Sequence, residues 1–322
     1  MAFTDLSPAE LLAFRPEVDE PDDFDAFWTE TLAEARSVGG DVTLTPADTP
    51  ITQLIVDDLT FPGFNGEPVR AWVSRPRDAE SPLPAVVQFQ GYGGGRGLPG
   101  ENVLWALAGY VHVFVDTRGQ GSNWGTGGDT PDPHGSGPAT PGYMTRGIHD
   151  PREYYYRRVF TDAVRAVDAT RAFPFVDADR IAVTGGSQGG GIAIAAAALA
   201  DGVRALLPDV AFLSAFRRGA EVAIGGPYLE LATYLSVHRD QVDAVFRTLS
   251  YFDGVNFARR IQVPSLFSVA LMDRVVPPST TMAAFNHLAA EDTTIEVYSF
   301  NDHEGGSAVQ WQKQARWLAE RF

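Results

Sequence analysis

One serine, one histidine and one carboxylate in this chain stand where acyl-transfer chemistry needs them. The serine is Ser187, in Thr184-Gly185-Gly186-Ser187-Gln188-Gly189-Gly190-Gly191, directly after the apolar run Arg180-Ile181-Ala182-Val183. A short buried strand, a G-x-S-x-G turn and a small-residue helix over 190–199 spell a nucleophile elbow. In such a turn a strained backbone pushes the serine hydroxyl clear of the sheet. Gly185 and Gly189 are needed there because side chains would collide across the tight turn. The helix that follows aims its N-terminal amides at the serine, which favours developing negative charge.

A serine hydroxyl near neutral pH needs a base, and the base needs an orienting carboxylate. In sheet proteins with such an elbow the partners follow in the order Ser, Asp or Glu, His, from loops at the carboxyl ends of later strands. Three histidines follow Ser187. His238 falls in a helical stretch and His287 inside a predicted helix, whereas His303 directly follows a predicted strand in Asn301-Asp302-His303-Glu304. His303 is therefore the base. Asp273 closes the preceding strand in Leu271-Met272-Asp273-Arg274-Val275-Val276-Pro277-Pro278 and is the expected acid. Asp240, Asp243 and Asp253 lie in the helical stretch and are read as solvated. Asp302 and Glu304 flank the histidine too closely to face its ring. Two backbone amides must hold the oxyanion. Gln188, directly after the nucleophile, supplies one. Tyr92, in the close-approaching Gly91-Tyr92-Gly93-Gly94, supplies the other.

The elements that must position these groups alternate. A helix over 22–35 precedes a hairpin of strands 51–61 and 68–75, turned at Gly63-Phe64-Asn65-Gly66. Strands follow at 85–90, 111–116 and 180–183, then 205–210, 265–270 and 294–298. Helices are expected at 102–108, 159–172, 279–290 and 307–320, with a mostly helical excursion over 215–261. Strands alternating with helices predict a mainly parallel sheet covered on both faces, in one domain spanning 1–322 with an N-terminal helix and hairpin extension. Residues 119–143 are rich in glycine and proline, with no apolar period, so a functional or a disordered loop is expected there. The flank Tyr154-Tyr155-Tyr156-Arg157-Arg158 suggests that this loop is ordered and packs on a neighbouring subunit.

Composition narrows the partners. The net charge of −16, from 41 acidic and 25 basic residues, repels nucleic acid and anionic lipid. The absence of cysteine removes disulfides, thiolate metal sites and a thiol nucleophile. No apolar run is long enough to span a bilayer, and Met1 to Ser7 lacks a signal-peptide pattern, so a cytoplasmic protein is expected. Gly95-Arg96-Gly97-Leu98-Pro99-Gly100 fits G-x-G-x-x-G, but it begins well after its strand ends, and Pro99 stands where the helix should be under way. No cofactor and no metal are implied.

Arg118-Gly119-Gln120-Gly121, the elbow and His303-Glu304 together resemble the signature set of the acetyl xylan esterase/cephalosporin C deacetylase family, carbohydrate esterases of the α/β-hydrolase fold. The likeness runs on through Thr130-Pro131-Asp132-Pro133 and 154–163 and covers nearly the whole chain. The resemblance implies Ser187, Asp273 and His303 as the triad, with the Tyr92 and Gln188 amides as oxyanion donors. It also implies removal of acetyl groups from small substrates, such as acetylated xylo-oligosaccharides and cephalosporin C. A cytoplasmic homohexamer, a trimer of dimers around an inner chamber, is implied too, with 119–143 as an interface element. Arg118 and Gln120 then support the elbow. Tyr92, Phe212, Pro227 and Tyr228 are the bulky residues available to close an acetyl pocket. A general short-chain carboxylesterase and a non-catalytic binding protein are the alternatives.

Overall fold

Stretches of Val, Ile, Leu and Phe bounded by glycine, proline and aspartate build the sheet. The computed structural model describes residues 5–322. Within them, strands β1 (Thr43–Pro46), β2 (Leu54–Pro62), β3 (Pro68–Pro76), β4 (Leu83–Phe89), β5 (Val111–Val115), β6 (Val176–Gly186), β7 (Val203–Asp209), β8 (Ser265–Ala270) and β9 (Thr293–Tyr298) form one sheet. Their order is β1-β2-β3-β5-β4-β6-β7-β8-β9. The first four positions pair antiparallel, and from β5 onward every pairing is parallel. The expected hairpin is β2–β3, whose turn places Asn65 at φ 54°.

Alternation along the central strands decides what packs where. Val87, Val113, Ile181 and Val183 face the helices Tyr155–Arg171 and Gln188–Leu199 in the main core. Val86, Ala182, Leu207 and Leu266 face the other way, against Trp105 of the short helix Leu104–Leu107 and Leu318 of the helix Ser307–Ala319. A parallel sheet buried on both sides reads as continuous apolar sequence, and β5 and β8 are buried at every residue. The carboxyl ends of β4, β6, β8 and β9 open on one edge, where such folds bind their ligands. Among the described residues no helix is long and apolar enough to cross a membrane.

Several expectations shift. The predicted helix at 102–108 contracts to Leu104–Leu107, while the helix expected from residue 159 begins at Tyr155. Tyr154, Tyr155 and Tyr156 are each wholly buried in the chain's own core, so they lend nothing to a contact with a neighbour. The helix Pro8–Ala13, closed by a Ser7–Glu10 capping box, and the edge strand β1 were not foreseen. Residues 119–143 hold little regular structure but are tightly pinned. Asp116 Oδ2 accepts the Asp129 and Thr130 amides at 2.6 and 2.8 Å. Arg158 grips Asp132 in a two-pronged pair at 2.9 and 2.8 Å.

The excursion comprises the helices Phe216–Val222, Tyr228–Val237, Val242–Ser250 and Gly254–Ala258. Its Asp253 is not solvated as expected; only 3% of it is exposed. Its carboxylate accepts the amides of Ala215, Phe216 and Val255 at 2.8, 3.0 and 3.0 Å. It thereby caps one helix and holds Ala215 in a left-handed turn at φ 46°. Asp253→Ala should strand these buried donors and cost about 3 kcal/mol or more. Urea unfolding that shifts by less than about 1 kcal/mol would show that the carboxylate is dispensable.

Candidate active site

β6 runs into a turn where Ser187 adopts φ 56° and ψ −120°, a conformation non-glycine residues avoid. Three main-chain hydrogen bonds hold it there. The Ser187 amide donates to Asp209 O (2.9 Å), and its carbonyl accepts from Gly191 (3.1 Å) and Phe212 (3.0 Å). The flanking glycines are sterically required. A Cβ at Gly185 would sit 2.4 Å from the Gly189 carbonyl carbon, and one at Gly189 would sit 2.2 Å from Phe89 O.

His303 follows β9 and turns its Nδ1 to Asp273 Oδ2 at 2.8 Å. The other oxygen of Asp273 accepts the amides of Val275 and Val276 at 2.8 and 2.9 Å, which fixes the carboxylate plane. Asp302 points elsewhere, to the Arg274 guanidinium at 3.0 and 2.7 Å. His238 stacks on Tyr234 at 4.3 Å, and His287 gives its ring nitrogen to Ala283 O at 2.7 Å. Neither belongs to the site. Ser187 and His303 line one cleft of about 460 Å³, together with Tyr92, Trp124, Pro227 and Val275. The structure thus gathers Ser187, His303 and Tyr92 at one opening, with Asp273 behind the histidine. Gln188 is the first residue of the helix after the turn. Among the described residues, neither the Tyr92 nor the Gln188 amide finds an acceptor. Two unspent N–H groups beside a serine are what an oxyanion hole requires.

Both donors are braced from below. The wholly buried Gln188 side chain accepts from Gln120 Nε2 and Tyr156 Oη, each at 2.9 Å, while Gln120 Oε1 accepts the Gly93 amide at 2.7 Å. Arg118 holds Asp162 at 2.6 and 2.9 Å and Glu67 at 2.6 Å. Supporting roles for Arg118 and Gln120 are therefore what the structure contains.

Three residues not singled out from sequence also matter. Glu230, on the helix Tyr228–Val237, accepts the Tyr92 hydroxyl at 2.6 Å and the Met144 amide at 3.1 Å. Burial, and then the Glu230 charge, push the Tyr92 phenol far above its usual range, so it stays a neutral donor. Trp124 donates its indole N–H to Tyr92 O at 2.7 Å and walls the cleft. Phe212 and Tyr228, candidates for a wall, are wholly buried and meet edge to face at 4.5 Å. Asp209, at the end of β7, accepts from Ser268 Oγ at 2.8 Å and from Gln314 Nε2 at 3.0 Å to each oxygen.

The acetyl xylan esterase family model matches residues 1–321. The chain belongs to the acetyl xylan esterase family. The acetyl xylan esterase of Paenibacillus sp. R4 superposes with a TM-score of 0.92 at 37% identity, covering 98% of this chain and 99% of that one. Acetyl xylan esterase 1 of Thermoanaerobacterium gives 0.91 at 30% identity, with 99% of each chain covered. An acetyl esterase of Xylanibacter ruminicola is 26% identical over 314 residues, 95% of this chain and 69% of that protein. This acetyl xylan esterase family member has the α/β-hydrolase fold and is an acetylesterase.

In this esterase, burial pushes the Asp209 carboxyl from 3.8 up to about 7. Between those values the folded protein holds a proton that the unfolded chain has lost. Stability therefore falls as pH rises through the window and levels off above about 7. Asp209→Asn should flatten that slope. Melting temperatures of the wild type and the variant, compared from pH 5 to 7.5, should converge as pH falls; parallel curves would rule the carboxyl out as the source.

Proposed function

We propose that this esterase releases acetate from small acetylated carbohydrates, acetylated xylo-oligosaccharides among them, through an acetyl-Ser187 intermediate, and that it accepts cephalosporin C. One observation carries the reading: a His303–Asp273 pair shares a cleft with a strained serine and two unspent amides. His303 takes the Ser187 proton as Oγ attacks the acetyl carbonyl, and the Tyr92 and Gln188 amides hold the oxyanion. The alcohol leaves with the proton from His303. Water, deprotonated by the same ring, then attacks the acetyl-serine, and Ser187 recovers its proton as acetate departs. Asp273 keeps Nδ1 as the donor, so Nε2 is the working nitrogen, and it stabilises the imidazolium.

Ser187→Ala should lower kcat by about four to six orders of magnitude with the circular dichroism spectrum retained. If a tenth of the activity survives, Ser187 is not the nucleophile.

Acyl selectivity decides between a deacetylase and a general short-chain carboxylesterase. Tyr92, Pro227 and Val275 line the cleft, which supports a closed acyl side. An open apolar pocket would gain about 0.8 kcal/mol per added methylene, whereas a closed one loses through overpacking. The kcat/KM for p-nitrophenyl acetate should exceed that for the butyrate by about tenfold or more. Equal or higher rates on butyrate would favour the carboxylesterase.

The family likeness also supports a cytoplasmic homohexamer, for which light scattering should read about six times the 34.8 kDa chain mass. A 34.8 kDa particle at micromolar concentration would remove the inner chamber.

A further inference from the structure

The apolar face of the sheet beneath Trp105 and Leu318 does not stay apolar to its end. Two residues beyond Val86 on β4 comes Gln88, and beyond Ala182 on β6 comes Thr184. Beyond Leu207 on β7 comes Asp209, and beyond Leu266 on β8 comes Ser268. Period-two alternation keeps each pair on the same face, so four neighbouring strands turn polar toward their carboxyl ends, with Asp209 and Ser268 one two-residue step beyond Gln88 and Thr184. Gln88 lies beside Thr184 and Asp209 beside Ser268 in the register. Polar groups set this deep cost stability unless something hydrogen-bonds them. Some of the need is met internally: Gln88 Oε1 faces His112 Nε2 at 3.0 Å, and Thr184 Oγ1 donates to Leu207 O at 2.7 Å. The side chains that face the Asp209 carboxyl, Ser268, Gln314 and Gln310, are all neutral.

Above this row lies a second cavity, of about 270 Å³, roofed by the helices Leu104–Leu107 and Ser307–Ala319. Its lining includes Gln88, Asn102, Thr184, Asp209, Trp311 and Gln314. The Trp311 indole nitrogen is buried and has no hydrogen-bond partner among the described residues. The cavity shares Gln88, Gly186 and Asp209 with the cleft that holds Ser187. Gly186 is the junction. Unlike Gly185 and Gly189, it has no steric reason to be glycine: a Cβ there would meet nothing within 4 Å, and its φ is not positive. A bare residue at this point puts no side chain between the two spaces, one position from Ser187.

We propose that this second cavity is the subsite for the alcohol half of the substrate, and that it takes a neutral, hydroxyl-rich sugar ring while the acetyl group sits at Ser187. The chemistry matches a sugar. Asp209 and Gln88 can accept from ring hydroxyls, the Asn102 amide can accept or donate, and the Trp311 N–H can donate to a ring oxygen. Glu101 also lines the space and disfavours an anionic ligand. Neutral acetylated xylosides should therefore be preferred over the carboxylate-bearing cephalosporin C. The inference rests on the deacetylase reading above and adds where the sugar lies.

The test uses unacetylated xylobiose as a competitive inhibitor of methyl acetate hydrolysis, whose methanol is too small to reach the second cavity. Wild-type enzyme is compared with Trp311→Leu, which removes the unpaired donor, and with Gly186→Val, which narrows the junction in a place with room for the side chain. The inhibition constant should rise about tenfold in each variant. The ratio of kcat/KM on acetylated xylobiose to that on methyl acetate should fall by a similar factor, mainly through KM. Unchanged inhibition and an unchanged ratio in both variants would overturn the assignment. If the wild type cleaves acetylated xylobiose while both variants behave like it, the cavity alone is misassigned. If the wild type hydrolyses methyl acetate but neither cleaves acetylated xylobiose nor binds xylobiose at concentrations that saturate a millimolar site, the carbohydrate reading itself fails as well.

Discussion

The backbone of Ser187 sets the terms for everything around it. A left-handed turn with a side chain costs on the order of 1–3 kcal/mol and persists only where its surroundings over-determine it. Here the surroundings are themselves bent to fit. The helix after the turn starts so close to the neighbouring chain that Gly189 lies against Phe89 O and Gly191 against Phe212 O. The segment facing it carries strain of its own, with Val210, Leu213 and Ala215 at φ 40°, 68° and 46°. Positive φ at a β-branched residue such as Val210 is rare. That segment must swing aside for the helix to dock, and the Asp253 carboxylate holds its far end in place. A buried aspartate 66 residues along the chain thus supports the turn at Ser187 without touching it.

The same close approach determines where the proposed oxyanion hole lies. Since Gly189 rests on the end of β4, the Gly91-Tyr92-Gly93 turn that follows β4 has to pass beside the start of the helix. The Tyr92 and Gln188 amides become neighbours for steric reasons before any chemical ones. What keeps them there is polar. Gln120 bonds both to the Gln188 side chain and to the Gly93 amide, so one residue ties the two donors' supports together. Glu230 does the equivalent from the excursion, joining the Tyr92 hydroxyl to the Met144 amide. Residues 119–143 therefore have work inside this chain: Gln120 sits under the hole, and Trp124 lies across its rim.

How much of this can be read from sequence depends on the range of the interaction. The elbow is legible because its cause is local, with glycines at fixed offsets between a strand and a helix. Asp273 and His303 are legible because each follows a strand whose apolar run is continuous, and strand ends on one edge of a parallel sheet converge. Range limits the rest. Asp253 reads as an ordinary helical aspartate until Ala215 and Phe216, 38 and 37 residues earlier, bring their amides to it. Glu230 meets Tyr92 across 138 residues. Phe212 and Tyr228 are bulky enough to wall a pocket, but whether an aromatic ring lines a cleft or stands behind it is decided by tertiary packing. The three tyrosines at 154–156 look like a surface cluster because they are consecutive; in the first turn of a helix they radiate into the core instead. The one sequence sign for Trp124 is that it is the lone tryptophan in a glycine-rich loop.

The polar ends of β4, β6, β7 and β8 offer a last point of physical consistency. A sheet face that only needed stability would continue with valine and leucine to its edge, since each buried aliphatic side chain contributes about 1.5–3 kcal/mol. This one gives up that gain near the carboxyl ends of four adjacent strands. Burial there also lifts the Asp209 carboxyl to about 7. Such a cost, borne coherently across strands that are far apart in sequence, marks a place where hydrogen-bonding capacity has been kept for something outside the fold. The two sides of Ser187 then differ in kind. Tyr92, Pro227 and Val275 line the space that holds Ser187, and amide, hydroxyl and indole groups line the one that shares Gly186 with it. An ester of acetate with a sugar has that same asymmetry.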